Sequence, residues 1–392
     1  MSQLRVNSIS DAAGANGNAI SLVTDGSCTA KVTNNLSNRN LIINGAMTVA
    51  QRSVAAVTDD GFKTVDRFKL VYEGSDNHLT QEQRDISHAS EGTVWAAGFR
   101  KAFKITNGNQ TSGAGAGDEA SIRYAIEAQD ISYSGWDFED SNSKITLSFW
   151  AKASVAQTYQ FTLYTQDGPD MGWTSEFALS ANTWTKITKV IPGHSSLEFH
   201  TNVGLGMEIK WYAFIGTTYT DSGATTDAWG TWDNGSTRKD MTSTWWTTDD
   251  ATFDITGVQL EVSDYATDFE HRKFQDELYN CQRYYQQVGT TTQDGQFCLG
   301  ASHLTSAGDQ TRVGYFGQNN LRATPTITEF GDGLRVIGSG SNTPVTGISD
   351  INVTFPSAYL QFNAECTDIG DDNEIVVVTN TANGGIKIEA EL

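Results

Sequence analysis

Apolar and polar residues alternate along most of this chain, with a period of two. Clear runs are Phe68-Lys69-Leu70-Val71-Tyr72, Ala102-Phe103-Lys104-Ile105, Ile122-Arg123-Tyr124-Ala125-Ile126 and Tyr159-Gln160-Phe161-Thr162-Leu163-Tyr164. Denser runs, Ile145 to Ala151, Ile209 to Phe214 and Phe253 to Leu260, are rich in β-branched and aromatic residues. Alternate side chains of a strand point to opposite faces, so this pattern predicts half-buried strands. From 41 to 270 only polar turns separate the runs, and no helix-period stretch of useful length intervenes. Many strands with few helices bury their apolar faces most simply by stacking two sheets. The expectation for 41–270 is therefore one large β-sandwich in an all-β chain.

The pattern changes at 271–287. Phe274, Leu278, Cys281 and Tyr285 are spaced by 4, 3 and 4 residues, which puts them on one face of a helix. The spacing predicts a linking helix over 271–287, with that stripe seated either on its own sandwich or on helices of neighbouring copies. Strand patterns resume at 288–392, as in Arg312 to Phe316, Ile351 to Phe355 and Glu374 to Val378, and that length suits a second, smaller β-sandwich. Residues 1–40 hold few large apolar side chains. Leu4, Val6 and Ile9 suggest one short strand, and Ile20, Leu22 and Val23 another. Such a segment has no core of its own, so it is read as an attachment or intertwining segment ordered by neighbours.

Charge and cysteine content narrow the function classes. The chain of 392 residues carries 26 Lys and Arg against 47 Asp and Glu, a net charge of −21. That balance repels nucleic acid and anionic membranes, and no run of basic residues builds a positive patch. No apolar stretch is long enough to span a bilayer, and the start Met1-Ser2-Gln3-Leu4-Arg5 lacks the features of a secretory signal. Cys28, Cys281, Cys298 and Cys366 form no CxxC or zinc spacing and are expected to be free buried thiols, with a disulfide between two of them as the alternative.

Candidate chemistry is sparse. The acids Asp137, Glu139 and Asp140, or Asp249 and Asp250, could in principle flank a glycosidic bond. Each group sits in a polar turn of a very acidic chain, so the reading is non-enzymatic. His194 and His200 could meet across a loop, and Asp368, Asp371 and Asp372 could approach a calcium ion, but neither set has a metal-site spacing. No cofactor motif occurs, and Gly113, Gly115 and Gly117 read as a loop. Trp229, Trp232, Trp245 and Trp246, with Asp233 and Asn234, stand out in a polar segment. Exposed indoles stack on the C–H faces of sugars while nearby amides and carboxylates bind hydroxyls, which makes these six residues the candidate ligand site. The same rings could instead plug a sandwich edge or a subunit contact.

Three segments carry a resemblance. They are Asn40-Leu41-Ile42-Ile43-Asn44-Gly45-Ala46-Met47 with Gln51-Arg52 and Val65-Asp66-Arg67-Phe68; Ile255 to Val262 with Ala266 to Arg272; and Glu277-Leu278 with Cys281-Gln282-Arg283-Tyr284-Tyr285 and Leu321 to Thr326. In order and spacing they resemble tail-fibre and receptor-binding structural proteins of tailed phages, of a marine or cyanophage-like kind. The resemblance implies a carbohydrate-binding-module-like jelly-roll sandwich, a helix and a C-terminal β domain. It also implies a place in a virion and homotrimers. The leading reading is then a virion protein made in the host cytoplasm, held to other tail proteins through residues 1–40 and facing a host surface polysaccharide or receptor. Alternatives are a purely structural component (a fibre shaft, an adaptor or a head decoration) and a glycan-depolymerising tailspike.

Overall fold

The computed structural model describes residues 8–10, 18–22, 28–30, 38–290, 298–302, 304–306, 310–316, 320–331, 333–338, 341–354, 359–366, 375–379 and 384–392. The first strands, β1 (Ser8–Ser10), β2 (Asn18–Leu22) and β3 (Cys28–Ala30), make a small antiparallel sheet in which Ile9 pairs with Ile20. The third of them has no counterpart in the apolar pattern.

The large unit, described from Asn38 on, is a jelly-roll β-sandwich. Its strands are β4 (Phe68–Glu73), β5 (Thr80–Asp85), β6 (Lys101–Thr106), β7 (Glu119–Glu127), β8 (Lys144–Ala153) and β9 (Gln157–Thr165). They continue with β10 (Met171–Leu179), β11 (Thr185–Pro192), β12 (Leu205–Ile215), β13 (Trp229–Thr231) and β14 (Thr252–Val262). One sheet has the order β13-β10-β9-β12-β7-β4 and the other β11-β8-β14-β6-β5, with antiparallel pairing throughout. The inward positions set by period two meet between the sheets. Phe149 of β8, for example, packs edge-on against Phe161 of β9 and Trp211 of β12, with ring centroids 5.6 and 5.8 Å apart. Two one-turn helices, α1 (Gly92–Ala96) and α2 (Ala128–Ser132), interrupt the strands and are too short to leave a periodic signal.

The linking helix differs from expectation. α3 spans Phe274–Cys281 only, and Tyr285 already opens β15 (Tyr285–Thr290). Its buried residues are Glu277 and Cys281, while Phe274 is 59% exposed. Hydrogen bonding, not the apolar stripe, sets this orientation. The Glu277 carboxylate accepts the Asn44 amide and faces Arg272, and those partners lie beneath the helix.

Among the described residues the C-terminal unit contains three antiparallel sheets and its own core around Val313, Phe362, Val377 and Ile386. Cys281 and Cys366 are buried, and the side chains of Cys28 and Cys298 lie outside the described residues.

Candidate functional site

The outward face of the six-stranded sheet carries the most suggestive chemistry. In β9, Tyr159, Phe161 and Leu163 point into the core, so Gln160, Thr162 and Tyr164 point out. Register extends this row by row. Lys69 of β4 pairs with Arg123 of β7, Arg123 with Lys210 of β12, and Lys210 with Thr162 of β9. Two residues along on the same face, Glu208 stands beside Tyr164. Its carboxylate lies 3.6 Å from the Lys69 ammonium and 3.2 Å from that of Lys210, and Glu119 sits 2.6 Å from Arg123.

At one end of this face, Tyr164 and Trp232 form an aromatic platform, with ring centroids 4.5 Å apart at 45°. The chain leaves β13 at Thr231 and folds back over the sheet, and the Trp232 amide donates to Asp170 O at 2.8 Å. Gly172 makes this possible. A Cβ there would lie 2.7 Å from Trp232 Cε3, so any side chain would lift the indole off the strand. The Lys210 ammonium lies 4.7 and 5.1 Å from the Tyr164 and Trp232 centroids, and the Arg238 guanidinium 4.7 Å from Trp232. Burial, first, and then Asp170 push the Tyr164 phenol up to about 12. Burial also lowers the Lys210 ammonium from its ordinary value, against the pull of Glu208. Asn234 accepts the indole N–H of Trp232 at 3.2 Å, and Asp233 accepts the Gly235 amide in the same turn. A half-buried ring pair beside fixed polar groups can stack on a sugar and hydrogen-bond its hydroxyls.

The structure keeps only part of the tryptophan group together. Trp232, Asp233 and Asn234 share the platform. Trp229 pairs with the inward-facing Trp173, packs against the core and donates to Pro192 O at 2.7 Å. Trp245 and Trp246 require correction as ligand residues, because both are fully buried. Their indole N–H groups donate to Thr252 O and Gly113 O, and Asn107 caps their carbonyls. They close one end of the sandwich, where no sugar can reach them. The platform residues missing from the sequence reading are Tyr164, Lys210 and Arg238, of which Tyr164 could have been found by following the alternation of its strand.

The remaining candidates stay apart. Asp137, Glu139, Asp140, Asp249 and Asp250 are exposed, and Asp140 serves its own turn by accepting the Asn142 amide. His200 is held by Asp167 at 2.7 Å and Glu198 at 3.2 Å, while the His194 amide donates to Phe138 O. Among the described residues no group of three His, Cys, Asp or Glu could hold a metal ion, and Asp368, Asp371 and Asp372 lie outside those residues.

Residues of the first and third of the segments that carry the resemblance meet elsewhere, where the sandwich joins the C-terminal unit. The Arg67 guanidinium stacks over Tyr284 at 3.4 Å, pairs with Glu391 at 2.5 Å and donates to Ala125 O at 2.7 Å. Arg52 stacks over Tyr285 at 3.6 Å and reaches Glu391 at 3.1 Å. Arg283 grips the fully buried Glu127 with two bonds of 2.8 Å, and the Tyr284 hydroxyl adds one of 2.6 Å. Burial would raise the Glu127 carboxyl, yet Arg283 and Tyr284 outweigh it and hold it below its ordinary value. Arg322 donates to the carbonyls of Ala390 and Glu391. These motif residues dock one unit on the other.

No known protein family matches the chain, and no curated protein sequence does. Among solved structures it is similar to a protein from Bacteroides thetaiotaomicron described as sugar-binding, at 12% identity and a TM-score of 0.30, over 57% of this chain and 100% of that one. It is similar to the N-terminal cellulose-binding domain of Cellulomonas fimi β-1,4-glucanase C, at 11% identity and a TM-score of 0.27, over 55% and 98%. It is also similar to the tandem CBM22-1–CBM22-2 domain of Paenibacillus barcinonensis Xyn10C, at 10% identity and a TM-score of 0.25, over 82% and 91%. A likeness this slight carries no functional argument.

Proposed function

We propose that the chain is a non-enzymatic glycan-binding adhesion protein, and that it serves in the tail-fibre apparatus of a phage virion. The observation that carries the binding reading is the Tyr164–Trp232 platform, a half-buried ring pair seated on an outward polar sheet face beside Lys210, Asp233 and Asn234. The virion reading rests on the resemblance of the three segments. In that setting the protein is a homotrimer held to other tail proteins through residues 1–40. The small β1–β3 sheet supports a role in assembly, since strands of 3, 5 and 3 residues are marginal without neighbours. Weak single-site binding to a host surface polysaccharide gains strength from three copies.

A second reading, a purely structural virion component, is favoured by the burial of Arg67 and Tyr284, whose segments carry the resemblance. A glycan array with purified protein separates the two. Binding that is lost in Trp232→Ala, with an unchanged circular dichroism spectrum, supports adhesion. Absence of binding to every glycan by the assembled particle overturns it.

A further inference from the structure

The two outer faces of the sandwich treat charge differently. On the five-stranded sheet, directly paired positions run Glu82, Lys104, Asp254, Lys152 across β5, β6, β14 and β8. The signs alternate, so each charge meets its opposite, and Lys104 closes on Glu82 at 2.9 Å. The corresponding row on the six-stranded sheet is Lys69, Arg123, Lys210, three cations on three adjacent strands. Like charges directly opposite each other destabilise a sheet.

Carboxylates relieve this only in part. Glu208 is shared by Lys69 and Lys210, and Glu119 serves Arg123. Arg238, buried beneath Trp232, adds a fourth positive charge. Its partners are Tyr219 O, Asn234 O and the Tyr212 hydroxyl, and among the described residues no carboxylate pairs with it. Asp170 and Asp233 lie at the rim, engaged by the Tyr164 hydroxyl and the Gly235 amide. The chain as a whole has 47 acids against 26 bases, so a cation-rich strip is the reverse of its general character.

We infer that this face takes an anionic glycan, one bearing uronate or sulfate groups, with an acidic group at Lys69 and Arg123, whose side chains are 24% and 20% exposed, and a ring on the Tyr164–Trp232 platform, against which the buried Lys210 is held. The inference rests on the glycan-binding reading above and names its ligand class. An aromatic ring bounds each end of the row, since Lys69 lies 5.5 Å from the Phe62 centroid as Lys210 lies 5.1 Å from Trp232. Four strands at about 4.8 Å spacing span roughly 14 Å, room for an oligosaccharide lying across the sheet. The surrounding acidic surface disfavours approach of anions elsewhere, so the strip also directs where such a chain lands.

The test uses the full chain and glycans matched in pairs, oligogalacturonate with its methyl ester and sulfated with desulfated galactan, titrated by calorimetry at two salt concentrations. The charged member is expected to bind at least ten-fold tighter at low salt, with the gap narrowing as salt rises. Lys69→Gln, at the most exposed end of the row, is expected to weaken the charged member at least three-fold and flatten the salt dependence, whereas Lys69→Arg retains both. Equal binding of charged and neutral members overturns the inference and leaves the platform reading standing. Failure of every glycan, charged or neutral, overturns both.

Discussion

Replacing Arg283 with Ala tests the docking of the two units most directly. Glu127 has no solvent exposure and Arg283 has 25%, so the two ends of the pair are not equivalent. Arg283→Ala strands a buried carboxylate, and breaking a buried pair in this way costs about 3–5 kcal/mol. The Tyr284 hydroxyl and the Gln129 amide still reach Glu127, at 2.6 and 2.7 Å, which brings the expected loss to about 2–4 kcal/mol. Glu127→Gln leaves a cation that can turn to water and keeps an acceptor for Tyr284, so its cost is smaller, about 1–2 kcal/mol. The sign of the pH dependence follows. In the native protein Glu127 is held below its ordinary value, so its contribution is present above the unfolded carboxyl range and is lost as pH falls through the lower folded value. Without Arg283 burial dominates, the folded value rises, and protonation relieves the stranded charge. The deficit of Arg283→Ala therefore shrinks between pH 8 and pH 5. Urea unfolding with two probes reads this cleanly. All ten tryptophans fall between Trp95 and Trp246, so indole fluorescence reports the sandwich alone, while far-ultraviolet circular dichroism reports both units. The two transitions coincide in the native chain and separate in the variant. A loss under about 0.5 kcal/mol, or a deficit that does not change with pH, would refute the reasoning.

Three further perturbations have definite outcomes. Burial raises the Asp66 carboxyl to about 6 against the pull of Arg52, so the fold binds this proton more tightly than the unfolded chain does. Stability from this group therefore grows as pH falls from about 6 towards 4, by up to roughly 3 kcal/mol, and Asp66→Asn removes that slope, as melting temperatures between pH 7 and pH 5 would record. Trp245→Ala empties a fully buried site and costs about 3–5 kcal/mol, whereas Trp232→Ala costs little stability and abolishes glycan binding; equal melting temperatures for the two variants would contradict this division. Gly45→Ala places a Cβ 2.1 Å from Val258 O, where the Val258 amide also donates to Gly45 O at 2.9 Å, so the chain must part from β14 and the denaturation midpoint falls.

Period two made the strands legible because one face of each sandwich strand sends apolar side chains into the core and the other carries polar ones, even where that outer face is covered, as at Gln160, Thr162 and Asp254. The same alternation placed Tyr164 outward, one residue beyond Leu163, although a search for tryptophans passed over it. Depth was not legible in the same way. Trp245 and Trp246 sit among Thr, Ser and Asp, a composition that looks exposed, and they are buried because Asn107 and Gly113 satisfy their polar atoms from another part of the chain. The α3 stripe misled for a related reason. A carboxylate at Glu277 reads as solvent-facing until the Asn44 amide and Arg272 meet it. No run of basic residues marks the cation row, since Lys69, Arg123 and Lys210 come together only through strand register.

The division of labour between the two charged regions explains why the resemblance and the candidate site point to different residues. At the unit interface every motif cation has a partner that holds it, such as Arg283 with Glu127 and Arg67 with Glu391. Buried pairs of this kind fix geometry and are closed to a ligand. On the six-stranded face three row cations share two carboxylates, and the Lys69 and Arg123 side chains stay 24% and 20% exposed, which leaves them open to something from outside. Tyr164, Trp232, Lys69, Arg123 and Lys210 all lie outside the segments that carry the phage resemblance. The first and third of those segments therefore join the two units, while the proposed ligand choice rests on residues the resemblance does not touch. Substitutions sort the two accordingly. Arg283→Ala lowers stability in the isolated protein, and Lys69→Gln changes affinity and its salt dependence in a protein that melts as before.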